Sequence, residues 1–228
     1  MDTPEIQGTA LLLKPMTAGI IIAMEKEFLQ MGTLPEDTRP VLCGIGKVNA
    51  AAATQSLIDS CHPDCIISAG VAGGLKECLH QGDVVIGENV AYHDVWCGEG
   101  NRYGQVQGLP GFFTSDPSLA RMASDTECVS DGRQIFSGLV CTGDKFSDDG
   151  EVLANINTHF PDALAVDMES AAVAQVCLLN KIPFLCFRII SNLSFSAESC
   201  SQYDRFWATE AEASFAAFRS FVRKLTKR

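Results

Sequence analysis

Long apolar runs are missing from this chain. The longest, GIIIAM, CIISAGVAG and FLCFRII, are strand-length, well short of the ~20 residues a membrane helix requires. Positive charge is also scarce: 17 Lys and Arg stand against 28 Asp and Glu, a formal net charge of −11. That balance excludes a nucleic-acid partner, because phosphate binding needs clustered cations. Only the tail RSFVRKLTKR is basic, which suits the C-terminal end of a helix. The four histidines (His62, His80, His93, His159) are dispersed and the ten cysteines form no CxxC pair, so no metal site is expected. A GxxxxGK[ST] phosphate loop and the glycine spacing of a dinucleotide site are absent too, and no cofactor is expected. Cys43, Cys65, Cys141 and Cys186 lie in apolar segments, as reduced thiols of a cytoplasmic protein do. The first 17 residues carry early acids and no basic leader. They read as an extension ahead of one domain, 18–228, with no targeting segment.

What is present is an alternation of strand-length apolar runs with helical-period segments, the pattern of an α/β fold. Strands are expected at Ala18–Met24, Val41–Cys43, Cys65–Gly70, Asp83–Ala91, Gly138–Cys141, Leu164–Val166 and Phe184–Ile190. Helices are expected at Lys47–Ser60, Pro117–Ser124, Gly150–His159, Glu169–Leu179 and Thr209–Lys227. This order predicts a single domain with a central mixed sheet flanked by helices. Ligands in such folds sit at the carboxyl ends of strands. Four of those ends carry polar or glycine-rich sequence: AMEKEF with Glu25 and Glu27, SAGVAGGL, AVDMES with Asp167 and Glu169, and RIISN. An arginine inside the last apolar strand requires an acidic or phosphate partner. The irregular stretch Gly98–Phe113 is long enough to suggest a functional loop.

Taken in order, AMEKE, CGIGKVNAA, SAGVAGGL, GDVVIGENVAYHD, YGQVQGLPGFF, CTGDKF, FPDALAVDMESAAVAQVC and RIIS resemble the 5′-methylthioadenosine/S-adenosylhomocysteine nucleosidases of the purine nucleoside phosphorylase superfamily. The resemblance runs from Ala18 to the end and implies a nucleoside phosphorylase-like fold. It also implies water-driven cleavage of an N-glycosidic bond with release of adenine, as in methionine salvage. By motif position, Glu27 would orient and deprotonate the water, with Arg188 as its positive partner. Glu169 would grip the ribose hydroxyls, with Asp167 beside it and Met168 packing beneath the sugar. Phe146 would stack on the purine, and the backbone around Phe146 and Ser147 would read its edge. Ser191 and Asn192 would line the N7 side, and Tyr203 would cover the 5′ group. Met24, Val71 and Gly73 complete the expected wall. The resemblance further implies a homodimer in which the segment from Trp96 to Pro110 closes the partner's pocket.

The acceptor is expected to be water and not phosphate. No arginine precedes Arg39, and the acids of AMEKE would repel an anion. Two positions depart from the family's pattern: Val71 where many members have Ser, and Asn192 where the pattern has an Asp that protonates N7. An amide donates a hydrogen bond but transfers no proton at neutral pH. Asn192 therefore leaves three readings open. It could be an introduced substitution, a shift towards 6-oxopurine nucleosides of the inosine or futalosine type, or the mark of a nucleoside binder without catalysis.

Overall fold

A computed structural model describes residues 16–126, 132–146 and 149–227; the expected extension up to residue 15 and Ser147 lie outside them. The apolar runs form eight strands: β1 (Ala18–Ile22), β2 (Thr38–Leu42), β3 (Cys65–Gly74), β4 (Val84–Tyr92), β5 (Phe113–Thr114), β6 (Ile135–Thr142), β7 (Ala163–Asp167) and β8 (Phe184–Leu193). The helices are α1 (Glu25–Gln30), α2 (Lys47–Cys61), α3 (Pro117–Ser124), α4 (Gly150–His159), α5 (Ser170–Asn180), α6 (Ser199–Arg205) and α7 (Ala211–Thr226). Between α6 and α7 the helix continues through a π-helical turn, Phe206–Glu210. Among the described residues no helix is long and apolar enough to cross a membrane.

The sheet is mixed and it closes on itself. β3 pairs in parallel with β8, β8 antiparallel with β4, β4 in parallel with β6, and β6 in parallel with β7. β7 then returns to β3 through a short antiparallel pairing at Gly73–Gly74. β1 and β2 extend the sheet beyond β3, while β5 edges β4. Strands in the ring have both faces covered, so β3 and β8 read as continuous apolar runs and not as alternating ones.

One face of the sheet packs on α7 and α3. There Phe187 of β8 meets Phe218 edge-on, with ring centroids 5.2 Å apart, and stacks on Phe221 at 5.8 Å. The other face packs on α2 and α5, whose small residues Ala50, Ala171, Ala172 and Ala174 allow close approach to the strands.

Several expected boundaries shift, each for a local reason. β1 stops at Ile22 because Met24 caps α1, where the Glu27 carboxylate turns back onto the Met24 N–H at 2.9 Å. The expected start of α5 at Glu169 proves to be its cap, one residue before the helix. β3 and β8 run past their expected ends to Gly74 and Leu193, because each completes the other's hydrogen bonding there. RIISN is therefore strand throughout and does not lead directly into a loop. Helices α1 and α6 are too short to show a period, and sequence reasoning missed them. Truncating Phe218 to Ala, far from the polar strand ends, is expected to cost about 3–5 kcal/mol, measurable as a fall in the urea midpoint.

Candidate active site

The polar strand ends converge on one cleft, with an interior of about 120 Å³. Met24, Glu27, Val71, Gly73, Phe146, Asp167, Met168, Glu169, Ser191, Asn192 and Tyr203, all singled out from the sequence, line it. So do Ala23, Ile45, Ala72, Lys145 and Val166, which that reasoning did not select. Arg188 lies behind the wall and Trp96 lies outside it, 58% exposed and stacked on Tyr103.

Glu27 reaches the cleft from the first turn of α1 and is 2% exposed. Its Oε1 accepts the Val71 N–H at 2.7 Å and its Oε2 the Met24 N–H at 2.9 Å. Two backbone donors thus fix the carboxylate, and Val71 contributes through its main chain, so its side chain need not be a serine. Burial raises the Glu27 pKa, against the opposing pull of the Val71 N–H and the Arg188 charge.

Arg188 is held from β8. Its Nε donates to Asp167 Oδ2 at 2.6 Å and its Nη2 to Ser68 Oγ at 2.7 Å. Nη1 is buried with no partner among the described residues. It lies beside Gly70, where an added Cβ would come within 3.1 Å of it and 2.5 Å of Glu27 Oε1. The absence of that Cβ leaves room for a cation and a carboxylate to face the same point.

Asp167 has little left to offer a ligand. Oδ1 accepts from Thr142 Oγ1 at 2.6 Å and from the Glu169 and Ser170 N–H groups at 3.3 and 3.2 Å, while Oδ2 holds Arg188. Burial alone would raise its pKa; Arg188 and these donors hold it below the ordinary range. Glu169 differs. Its Oε1 accepts the Gly46 N–H at 2.9 Å, and burial beside Asp167 pushes its pKa up to about 7.

Across the cleft the surroundings are apolar and aromatic. Tyr203 packs edge-on to Phe146, with centroids 6.1 Å apart, and its hydroxyl lies 3.5 Å from Met24 Sδ. β8 is bulged against β3 after Ala72, and the extra residue lets consecutive Ser191 and Asn192 both border the cleft. Asn192 is 3% exposed. Its Oδ1 accepts the Ser191 hydroxyl at 2.7 Å and its Nδ2 donates to Ser199 Oγ at 2.8 Å. The cleft therefore has an ionic side (Glu27 and Glu169, with Arg188 behind the wall) and an aromatic-amide side (Phe146, Asn192), with Tyr203 reaching from Phe146 to Met24. The first suits hydroxyls and a polarised water; the second suits a flat heterocycle. In carboxyl-resolved NMR, one glutamate is expected to titrate near pH 7 and to vanish in Glu169→Gln. If every glutamate titrates near 4.5, this electrostatic account fails.

The model of the phosphorylase superfamily matches residues 17–227. The 5′-methylthioadenosine/S-adenosylhomocysteine nucleosidase of Bacillus pumilus is 42% identical over 174 residues, covering 75% of each chain. The protein of the same name from Geobacillus thermodenitrificans is 36% identical over 220 residues, covering 87% of this chain and 93% of its own. Among solved structures, the Neisseria meningitidis nucleosidase in complex with methylthio-immucillin-A aligns with a TM-score of 0.84 at 35% identity. It covers 91% of this chain and 99% of its own. The Colwellia psychrerythraea nucleosidase in complex with adenine gives 0.88 at 33% identity, with 96% and 99% covered. The chain belongs to the phosphorylase superfamily, within its branch of 5′-methylthioadenosine/S-adenosylhomocysteine nucleosidases.

Proposed function

We propose that this protein hydrolyses the N-glycosidic bond of 5′-methylthioadenosine and S-adenosylhomocysteine and releases adenine. The observation that carries the reading is the pairing of the pinned Glu27 carboxylate with the unpartnered Nη1 of Arg188 beside Gly70. A water between them would give up a proton to Glu27, whose raised pKa makes it a stronger base than an ordinary carboxylate. Hydroxide would then be delivered to the anomeric carbon. Glu169 would accept the ribose hydroxyls, and its charge would favour the positive sugar ring of the transition state. Phe146 would stack on the purine, while Tyr203, Met24 and Met168 would cover the sugar and its 5′ group.

Asn192 sets the rate. At the aromatic end of the cleft it offers an N–H to the departing base but no transferable proton. General-acid assistance contributes about 10²–10⁴-fold, so Asn192→Asp is expected to speed adenine release by about that factor. The assay follows adenine from both thionucleosides for wild type and variant. Cleavage of inosine or futalosine by both forms without adenine release would establish the 6-oxopurine reading instead. Binding without turnover in either form would establish a nucleoside binder.

The exposed Trp96, stacked on Tyr103 outside the cleft of its own chain, supports a homodimer in which the segment to Pro110 closes the partner's pocket. The buried thiols Cys65, Cys141, Cys177 and Cys186 support a cytoplasmic setting, and residues 18–228 form the working domain. Gly70→Ala is expected to lower kcat/KM on the order of 10²-fold, since a misplacement of about 1 Å costs that much. Its Tm is expected to fall as well, since crowding a buried site costs about 1–3 kcal/mol. An unaffected kcat/KM would remove Glu27 and Arg188 from the reaction centre.

A further inference from the structure

Three motifs have a role only in part: GIGK at 44–47, YHD at 92–94 and GDKF at 143–146. They meet at Asp94, a residue that does not line the cleft. Asp94 Oδ2 accepts from Lys47 Nζ at 2.6 Å and from the Asp144 N–H at 2.9 Å. Asp144 returns the contact through Oδ1, which accepts the Lys47 N–H at 2.8 Å, while its Oδ2 lies 3.8 Å from Lys47 Nζ. The start of α2, Asp94 just past the end of β4 and the loop after β6 are thus tied in a closed circuit. Glycine is required at two points. Gly46 has φ +98° and its missing Cβ would fall 3.1 Å from Asp144 Oδ1, and Gly143 lies so close to the His93 ring that no side chain fits.

Both arms of the circuit end in the cleft wall. On one side, Gly46 precedes Lys47 and donates its N–H to Glu169 Oε1 at 2.9 Å. On the other, Phe146 follows Asp144 by two residues and packs on Tyr203. Ile45 and Lys145 beside them line the cleft as well. The Lys47 ammonium also sits 5.5 Å over the Tyr92 ring, which fixes the circuit to β4.

We propose that Asp94 is a positioning residue that sets Glu169 at the sugar end and Phe146 at the base end together, so that both halves of a nucleoside are gripped through one carboxylate. The proposal rests on the nucleosidase reading. Removing the Asp94 charge leaves Lys47 only its contacts to Asp144 and the Tyr92 ring and weakens the hold on the Asp144 N–H, so the Gly46 N–H and the Phe146 loop lose part of their common anchor. Either half of the ligand should feel the loss, and a defect at one half should remove that half's share of it.

Double-mutant cycles test this, because residues that act through one another give non-additive effects. The probe is 5′-methylthiotubercidin, whose carbon in place of N7 prevents protonation there, with affinity read by calorimetry. Asp94→Asn is expected to weaken binding about tenfold, the scale of one charged hydrogen bond. In Glu169→Gln and in Phe146→Ala the same change is expected to weaken it less than about threefold. Lys47→Met breaks the ion pair from its other side and is expected to repeat the pattern, which guards against a fold defect peculiar to one variant. Additive effects in either cycle, with Tm unchanged, overturn the two-ended role of Asp94. A wild-type chain that binds no thionucleoside overturns the nucleosidase reading itself, and the proposal with it.

Discussion

The buried pair between Arg188 and Asp167 is the contact on which the cleft depends. A guanidinium 2% exposed within β8 could not remain there unpaired. Burial works against its charge, and Asp167 more than offsets that and keeps its pKa above the usual value. The pair joins β8 to β7 across β3, the strand that neighbours both. The same carboxylate gathers the N–H groups of Glu169 and Ser170, which fixes the turn into α5 and the place of Glu169. One arginine nitrogen is left over and faces the Glu27 carboxylate. Asp167 thus balances the guanidinium charge while one of the guanidinium N–H groups stays unbonded, among the described residues, on the side of Glu27.

That arrangement explains why the two glutamates behave as they do. Both are desolvated and both have raised pKa values, yet each is oriented by backbone N–H groups and not by a neutralising salt bridge. They hold their protons more tightly than surface carboxylates and remain free to work on a ligand. The amide end of the cleft is the reverse: Asn192 is bonded on both atoms by serine hydroxyls and carries no charge. Charge is concentrated around Glu27 and Glu169, while Phe146 and Asn192 offer the cleft a ring and an amide.

Much of this was legible in the chain. The strand-length apolar runs, the glycines of SAGVAGGL and the arginine of RIIS announced a sheet with a ligand at its strand ends. Arg188 stood out as a charge inside an apolar strand, which needs a partner, whereas Glu27 and Glu169 were singled out by the family resemblance. Asp94, Ser68, Ser199 and Gly46 could not be picked out in the same way. Each acts through a neighbour, and nothing in the short motifs YHD and GIGK says which neighbour that will be. Helices α1 and α6 were invisible because six or seven residues hold too few turns for a period. The bulge that brings Ser191 and Asn192 side by side belongs to a pairing of two strands, and neither strand records it alone.

By itself the sequence determined the alternation of strands and helices, the polar residues at the strand ends and the amide at position 192. These follow from side-chain periodicity and residue chemistry, which are local. Only the tertiary structure decided that β7 closes back onto β3, that Asp167 serves Arg188 more than a ligand, and that three scattered motifs meet at Asp94. The physical reason is distance along the chain. A buried charge takes whichever partner the closed sheet brings within about 3 Å, and that choice is made by packing between elements far apart in sequence.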